Sequence, residues 1–341
     1  AGRRGGPRRL RGGRAVQAAG ALLLGAAGAA ALLGGDAAGS AFSGEIGPRL
    51  GLDPLSGAFL VAIGAVGAPA CLFARGYLAP DRAGRAVGAL TGAFLLALAA
   101  VVAARDPTAF LGGWELMTAI PAAAVLIACR EPAVRRTVFE YLAITHLGGI
   151  GVWLALLVAA ERGALDGAAG PTGGAARAAL VGLALVGFGT KAGLVPFLAW
   201  LPRTHPVAPA HLSALMSGVM TTVAVYGLVR ALRDWAGPPS EAAGLALLAL
   251  GGVSALGGAL WAAVQRELKR LLAFSTIENI GIVAAALGAW LVLAAHGERG
   301  WAAIALGAAL LHAIVHAVAK GHLFLGAGAL DRAVGDLALD R

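Results

Sequence analysis

The stretch Gly189–Pro202, GTKAGLVPFLAWLP, decides how this chain is read. Lys191 is the only charged residue between Ala178 and Trp200, in a segment otherwise apolar enough to lie in a bilayer. An ammonium group at that depth is costly and survives where it faces protein or a wet cavity, so its default reading is functional. Just beyond it, Gly193 and Pro196 interrupt a helix that would otherwise run straight through. Such breaks are tolerated at membrane depth only where the freed backbone groups meet protein or line a cavity. A buried lysine beside a broken helix points to an ion path.

Composition places the whole chain in the same setting. Of its 341 residues, 59% are hydrophobic and 13% charged, with a mean hydropathy of +0.80. A soluble domain carries about 25% charged residues, so a soluble enzyme is excluded. Apolar runs of about 20 residues, enough to cross about 30 Å of hydrocarbon, recur from Ala15 to Leu330 and number about ten. With Arg3, Arg4, Arg8, Arg9, Arg11 and Arg14 in the cytoplasm, alternating loops put most Lys and Arg on the inner side. That bias accounts for the net charge of +9 without a nucleic-acid partner. The first apolar run is long and 34–40 is a poor cleavage context, so it reads as a retained span. The expected fold is an all-α polytopic protein of about ten transmembrane helices, multi-pass in a bacterial or archaeal cell membrane.

Only three of the 27 basic residues are lysines, and Lys191 and Lys320 fall inside expected spans while Lys269 falls in a loop. Lysine, unlike arginine, can lose its proton when desolvated, which suits a group that loads and releases protons. Glu115, in GGWELMTAI, is the natural counter-charge to Lys191, with a static ion pair between two helices as the plainer alternative. His312, His316 and Lys320 recur at i, i+4 and i+8, so one helical face carries three titratable groups. No carboxylate or cysteine accompanies them, which favours a proton relay over a metal site. Glu278, beside Asn279 in AFSTIENIGI, is a further polar station. His205 and His211, in RTHPVAPAH, belong to a turn or re-entrant segment and are candidates for proton intake, with an ordinary loop as the alternative. Glu140 lies close enough to the basic 130–136 loop to pair there, and His146 reads as a core histidine. Cys71 and Cys129 lack CxxC spacing and read as packing residues, and the 52 glycines read as close helix contacts.

In one order along the chain, LDPLSGAFL (Leu52–Leu60), WELM (Trp114–Met117), the block from Gly189 to Tyr226, ELKRLLAFS and HAVAKGHLFL resemble a known family. It comprises the antiporter-like subunits of respiratory complex I, Mrp sodium/proton antiporters and membrane-bound hydrogenases. EYLAITHLGG, RTHPVAPAHLSALMSGVM and FSTIENIG look most like the membrane subunit of hydrogenase-4 and formate hydrogenlyase. The resemblance implies that Glu115 and Lys191 are key proton-transfer residues, and that His312, His316 and Lys320 form the family's histidine-and-lysine helix. It implies no cofactor in this chain. The implied partners are other membrane subunits and a peripheral redox arm of hydrogenase and iron–sulfur proteins.

The function expected on this basis is proton translocation within a redox-driven complex. A sodium/proton antiporter subunit, with oxygen ligands from Ser275, Thr276, Glu278 and Asn279, and a non-pumping membrane anchor are the alternatives. The expected organisation is N-terminal helices over 1–85, a first inverted five-helix repeat over 86–233 and a partial second repeat over 234–341. Two features depart from the family. Thr222 stands where many members carry a lysine before a YG pair, and the chain has fewer spans than most members, which reads as a fragment of a longer gene product.

Overall fold

The computed structural model describes residues 6–35, 41–167 and 174–339, with side chains from Gly12 onward. Arg3, Arg4 and most of the 34–40 stretch lie outside the described residues, as do the side chains of Arg8, Arg9 and Arg11. The described chain forms α1 (Gly6–Gly34), α2 (Pro54–Tyr77), α3 (Arg82–Ala103), α4 (Pro107–Ala128), α5 (Pro132–Glu161) and α6 (Gly174–Ala192). It continues through α7 (Leu201–Val207), α8 (Ala210–Trp235), α9 (Glu241–Ala263), α10 (Leu268–Ala295) and α11 (Arg299–Val334). Ten of these helices, all but α7, are long and apolar enough to cross a membrane.

Helix starts are written in the sequence as oxygen-bearing caps. Asp53, Asp81, Asp106 and Ser240 each accept a hydrogen bond from the backbone N–H three residues on. Pro54 and Pro107 follow two of these caps, at a position where no backbone donor is needed. Successive helices then pack as neighbours, α1 on α2, α3 on α4, α5 on α6 and α9 on α10. Glycine sets the closest approach: a β-carbon on Gly251 would lie 2.7 Å from Gly281 O, and one on Gly281 would lie 2.7 Å from Gly251 O.

Helix α8 is buried along its length, because α2, α3, α6, α10 and α11 pack around it. Two π-helical turns, Leu215–Met220 and Ala231–Trp235, interrupt its regular geometry. Its end at Trp235 is tied to α2 by charge. Arg230 donates to Asp53, Ser56 and Asp234, and Arg105 Nη2 lies 3.5 Å from Asp53 Oδ1. Burial raises the Asp53 pKa, but the hydrogen bond and charge of Arg230, with the amide and hydroxyl of Ser56, outweigh it and hold the carboxyl at about 2. The positive-inside orientation puts this network at the outer end.

Three expectations need correction, one of them His146, read as a core histidine, whose side chain is 49% exposed on α5. The broken span extends beyond Trp200 through a 3-10 turn at Leu198–Trp200 and then α7, so His205 sits on a helix and His211 in the first turn of α8. Lys269 belongs to the first turn of α10 and is buried, rather than lying in a loop.

Candidate functional site

Lys191 is the second-last residue of α6 and is only 1% exposed. Its Nζ donates to Thr118 Oγ1 and lies 5.5 Å from the centroid of the Trp114 ring and 5.9 Å from that of Tyr141. Trp114 and Thr118, four residues apart, present one face of α4 to it. A hydroxyl and two aromatic faces therefore hold the ammonium. Glu115 turns elsewhere. One residue on from Trp114, it is rotated by about 100° around α4, and its carboxylate accepts from Trp153 Nε1 at 3.1 Å and lies 3.2 Å from His146 Nε2. The two expected partners flank Trp114 without forming a direct ion pair.

The break after α6 is held by protein through Val195, while Pro196 and Phe197 are exposed. Gly193 has φ +87°, and a β-carbon there would collide with Leu201 Cδ1, so the position requires glycine. Leu194 N–H returns to Gly189 O at 2.9 Å, and Val195 N–H donates to Ser254 Oγ of α9 at 3.0 Å. Trp200 Nε1 closes the turn by donating to Thr190 O at 2.9 Å.

His205 and His211 are both fully buried. The His205 ring lies 4.8 Å from Phe324 and 6.4 Å from Trp200, and neither of its nitrogens has a hydrogen-bond partner among the described residues. His211 Nε2 is 3.2 Å from Thr91 Oγ1, while its buried Nδ1 has no such partner. Lys269 Nζ donates to Ala208 O at 3.0 Å, on the segment between the two histidines. A cleft of about 420 Å³, lined in part by Tyr77, Asp81, Pro209, Lys269 and Asp331, opens beside them.

Helices α10 and α11 share a polar seam. Lys320 Nζ donates to Ser275 Oγ, His312 Nε2 lies 3.1 Å from Asn279 Oδ1, and Asn279 Nδ2 donates to Ser275 O at 2.7 Å. His316 is buried beside them, with neither ring nitrogen partnered among the described residues. Ser217, in the first π turn of α8, ties that helix to the seam through Thr276 at 2.6 Å. Glu278 is half-buried on α10 and joins none of these bonds. Thr222 is buried too, but its hydroxyl donates to Gly218 O at 2.9 Å and Val219 O at 2.8 Å of its own helix. Glu140 pairs with Arg203 at 2.6 Å and Arg136 at 3.2 Å. Among the described residues, no three His, Cys, Asp or Glu side chains gather as a metal site.

Sequence reasoning missed the cage of Trp114, Thr118 and Tyr141 around Lys191, and the Trp153 and His146 contacts of Glu115. Helical spacing carried part of this: His146, Gly149 and Trp153 fall at i, i+3 and i+7, one face of α5.

The family described as NADH:quinone oxidoreductase/Mrp antiporter, transmembrane, matches residues 168–337, which include Lys191, His205, His211 and the seam. The chain belongs to this family. Among antiporter-like relatives, hydrogenase-4 component B of Escherichia coli strain K12 is 34% identical over 290 residues, covering 82% of this chain and 43% of that protein. An uncharacterized protein of Mycobacterium tuberculosis strain H37Rv is 45% identical over 296 residues, covering 86% of this chain and 46% of that one. A chain of the Mrp complex from Dietzia sp. superposes with a TM-score of 0.82 at 25% identity, over 98% of this chain and 37% of that chain. The chain thus spans less than half the length of these relatives. The resemblance read from the motifs, the all-α fold and the multi-pass membrane placement all hold.

Proposed function

We propose that this chain moves protons across the bilayer as an antiporter-like membrane subunit of a redox-driven complex of the hydrogenase or NADH:quinone oxidoreductase kind. The observation that carries the reading is Lys191, a buried amine at a helix break, held by a hydroxyl and two aromatic rings rather than by a carboxylate. Such a group can be neutral or charged without leaving a partner stranded, which an ion pair cannot. Protons enter from the inner-side cleft past His205 and His211, load Lys191 under the influence of Glu115, and pass toward Glu278, His312, His316 and Lys320.

The unpartnered nitrogens of His205, His211 and His316 favour water as the connecting medium, because buried polar atoms are normally satisfied. Water also bypasses Thr222, whose hydroxyl is engaged within α8. In this reading residues 86–233 form the repeat that carries Lys191, and residues 234–341 the partial repeat that carries Lys320. In this reading electron transfer belongs to the partner subunits.

Protons are favoured over sodium because the Lys320 ammonium already occupies the Ser275 oxygen that a sodium ion would need. A neighbouring membrane subunit fits the α4–α5 face. There Glu115 and His146 have side chains 34% and 49% exposed, among the exposed Leu116, Leu147 and Ile150. A carboxylate left facing lipid is costly, and a polar partner helix removes the cost.

The test is Lys191→Ala in the intact complex reconstituted into vesicles. Proton uptake falls by about 100-fold, the scale of a lost proton-transfer group, while assembly is unchanged. Unchanged uptake would sink the relay and favour a non-pumping anchor. Uptake that depends on sodium would favour the antiporter alternative.

A further inference from the structure

Helix α1 packs along α2 but meets α3 only sparsely, which leaves a groove between α1 and α3 on the outside of the bundle. The groove holds about 680 Å³ and is lined by residues including Gln17, Gly20, Leu24, Ala89, Gly92 and Leu96. Small residues hollow it: nothing lies within 4 Å of a β-carbon built on Gly20. Running from 17 to 24 on one helix and from 89 to 96 on the other, it is about 10 Å long. One bilayer leaflet contributes about 15 Å of hydrocarbon. Along α3 it begins about 10 Å from the inner end of the helix and ends a little past the middle.

Its chemistry changes at the inner end. Gln17 Nε2 donates to Gly88 O at 3.0 Å and closes the slot. Arg14, about one turn earlier on α1, is buried with its guanidinium donating to Ala74 O and Gly84 O, so a fixed positive charge stands behind the groove. Arg85 lies four residues before Ala89, on the groove face of α3 and about one turn nearer the membrane surface. It is exposed and has no ion pair among the described residues.

We propose that this groove binds one anionic phospholipid of the inner leaflet, with an acyl chain between α1 and α3 and the phosphate against Arg85. A zwitterionic lipid fills the apolar slot equally well but gains less from the two guanidinium groups, so the site is selective for net negative charge. A partner helix is a poorer occupant, because it crosses about 30 Å of hydrocarbon whereas the groove ends near mid-bilayer. The assignment is independent of the proton path.

The test uses the full-length protein extracted with its natural partners and reconstituted into vesicles of equal parts phosphatidylglycerol and phosphatidylcholine. Native mass spectrometry after mild detergent release reads the bound lipid. The wild-type complex retains phosphatidylglycerol several-fold over phosphatidylcholine, Arg85→Ser erases the preference, and Gly20→Leu, which adds bulk to the slot from a position where a β-carbon meets nothing, lowers retention of both lipids. Equal retention of the two lipids by the wild type, or a preference that survives both substitutions, overturns the site. So does a cross-link from Gly20→Cys to a protein subunit instead of to lipid.

Discussion

At the scale of single residues, Asp53 does three jobs with one carboxylate. It caps α2 through Ser56 N–H, pairs with the buried Arg230 and stands 3.5 Å from Arg105. Its pKa is held at about 2, against 3.8 for the free group. The stabilisation it brings is therefore complete above pH 3.8 and is lost as pH falls through about 2. Asp53→Asn leaves Arg230 buried with a weakened set of partners and costs about 3 kcal/mol at neutral pH. Thermal unfolding in detergent checks both parts, since the variant has a lower midpoint and a shallower further loss across that acid window. Lys191 is the opposite case. A lone lysine in an apolar run is conspicuous in the sequence, but its hydroxyl and aromatic partners come from α4 and α5, and local spacing on α6 says nothing about them.

At the scale of elements, the broken helix owes its shape to a residue far away in the chain. Val195 N–H has no helical partner and is satisfied by Ser254 Oγ of α9. Ser254→Ala strands that donor in the interior and lowers stability by about 1–3 kcal/mol. The thermal midpoint reports the loss, and proton uptake falls with it if the break must hold Lys191 in place. The starts of α2, α3 and α4 carry a local signal, an aspartate cap, followed in α2 and α4 by proline at the first helical position. The second half of the break carries none. Pro202 and Pro206 look like a turn, yet α7 accommodates both within two turns, where few intrahelical donors are missing. The π turns of α8 had no sequence signature either, and Ser217 meets Thr276 from one of them.

At the scale of the whole molecule, burial of α8 follows from five helices closing around it, while α1, α9 and α11 leave wide apolar faces outside. On the α4–α5 face the Glu115 carboxylate joins that outer surface, which favours it as the place for a neighbouring subunit. Ile150→Cys, at an exposed position beside the Glu115–His146 pair, yields a specific adduct with another membrane subunit when the native complex is treated with a short cross-linker. A lipid adduct alone would leave Glu115 facing hydrocarbon and defeat the partner reading.

The sequence alone determined the solvent, the span count and the family, because each rests on composition, on length against bilayer thickness, or on contiguous motifs. The tertiary structure decided what each charge touches. Lys191 meets Thr118 rather than Glu115, Lys320 meets Ser275, and His205 is enclosed between Trp200 and Phe324. The contacts with Thr118, Ser275 and Phe324 join residues tens to more than a hundred positions apart, and they depend on helix rotation, since a step of one residue swings a side chain by about 100° to another neighbour.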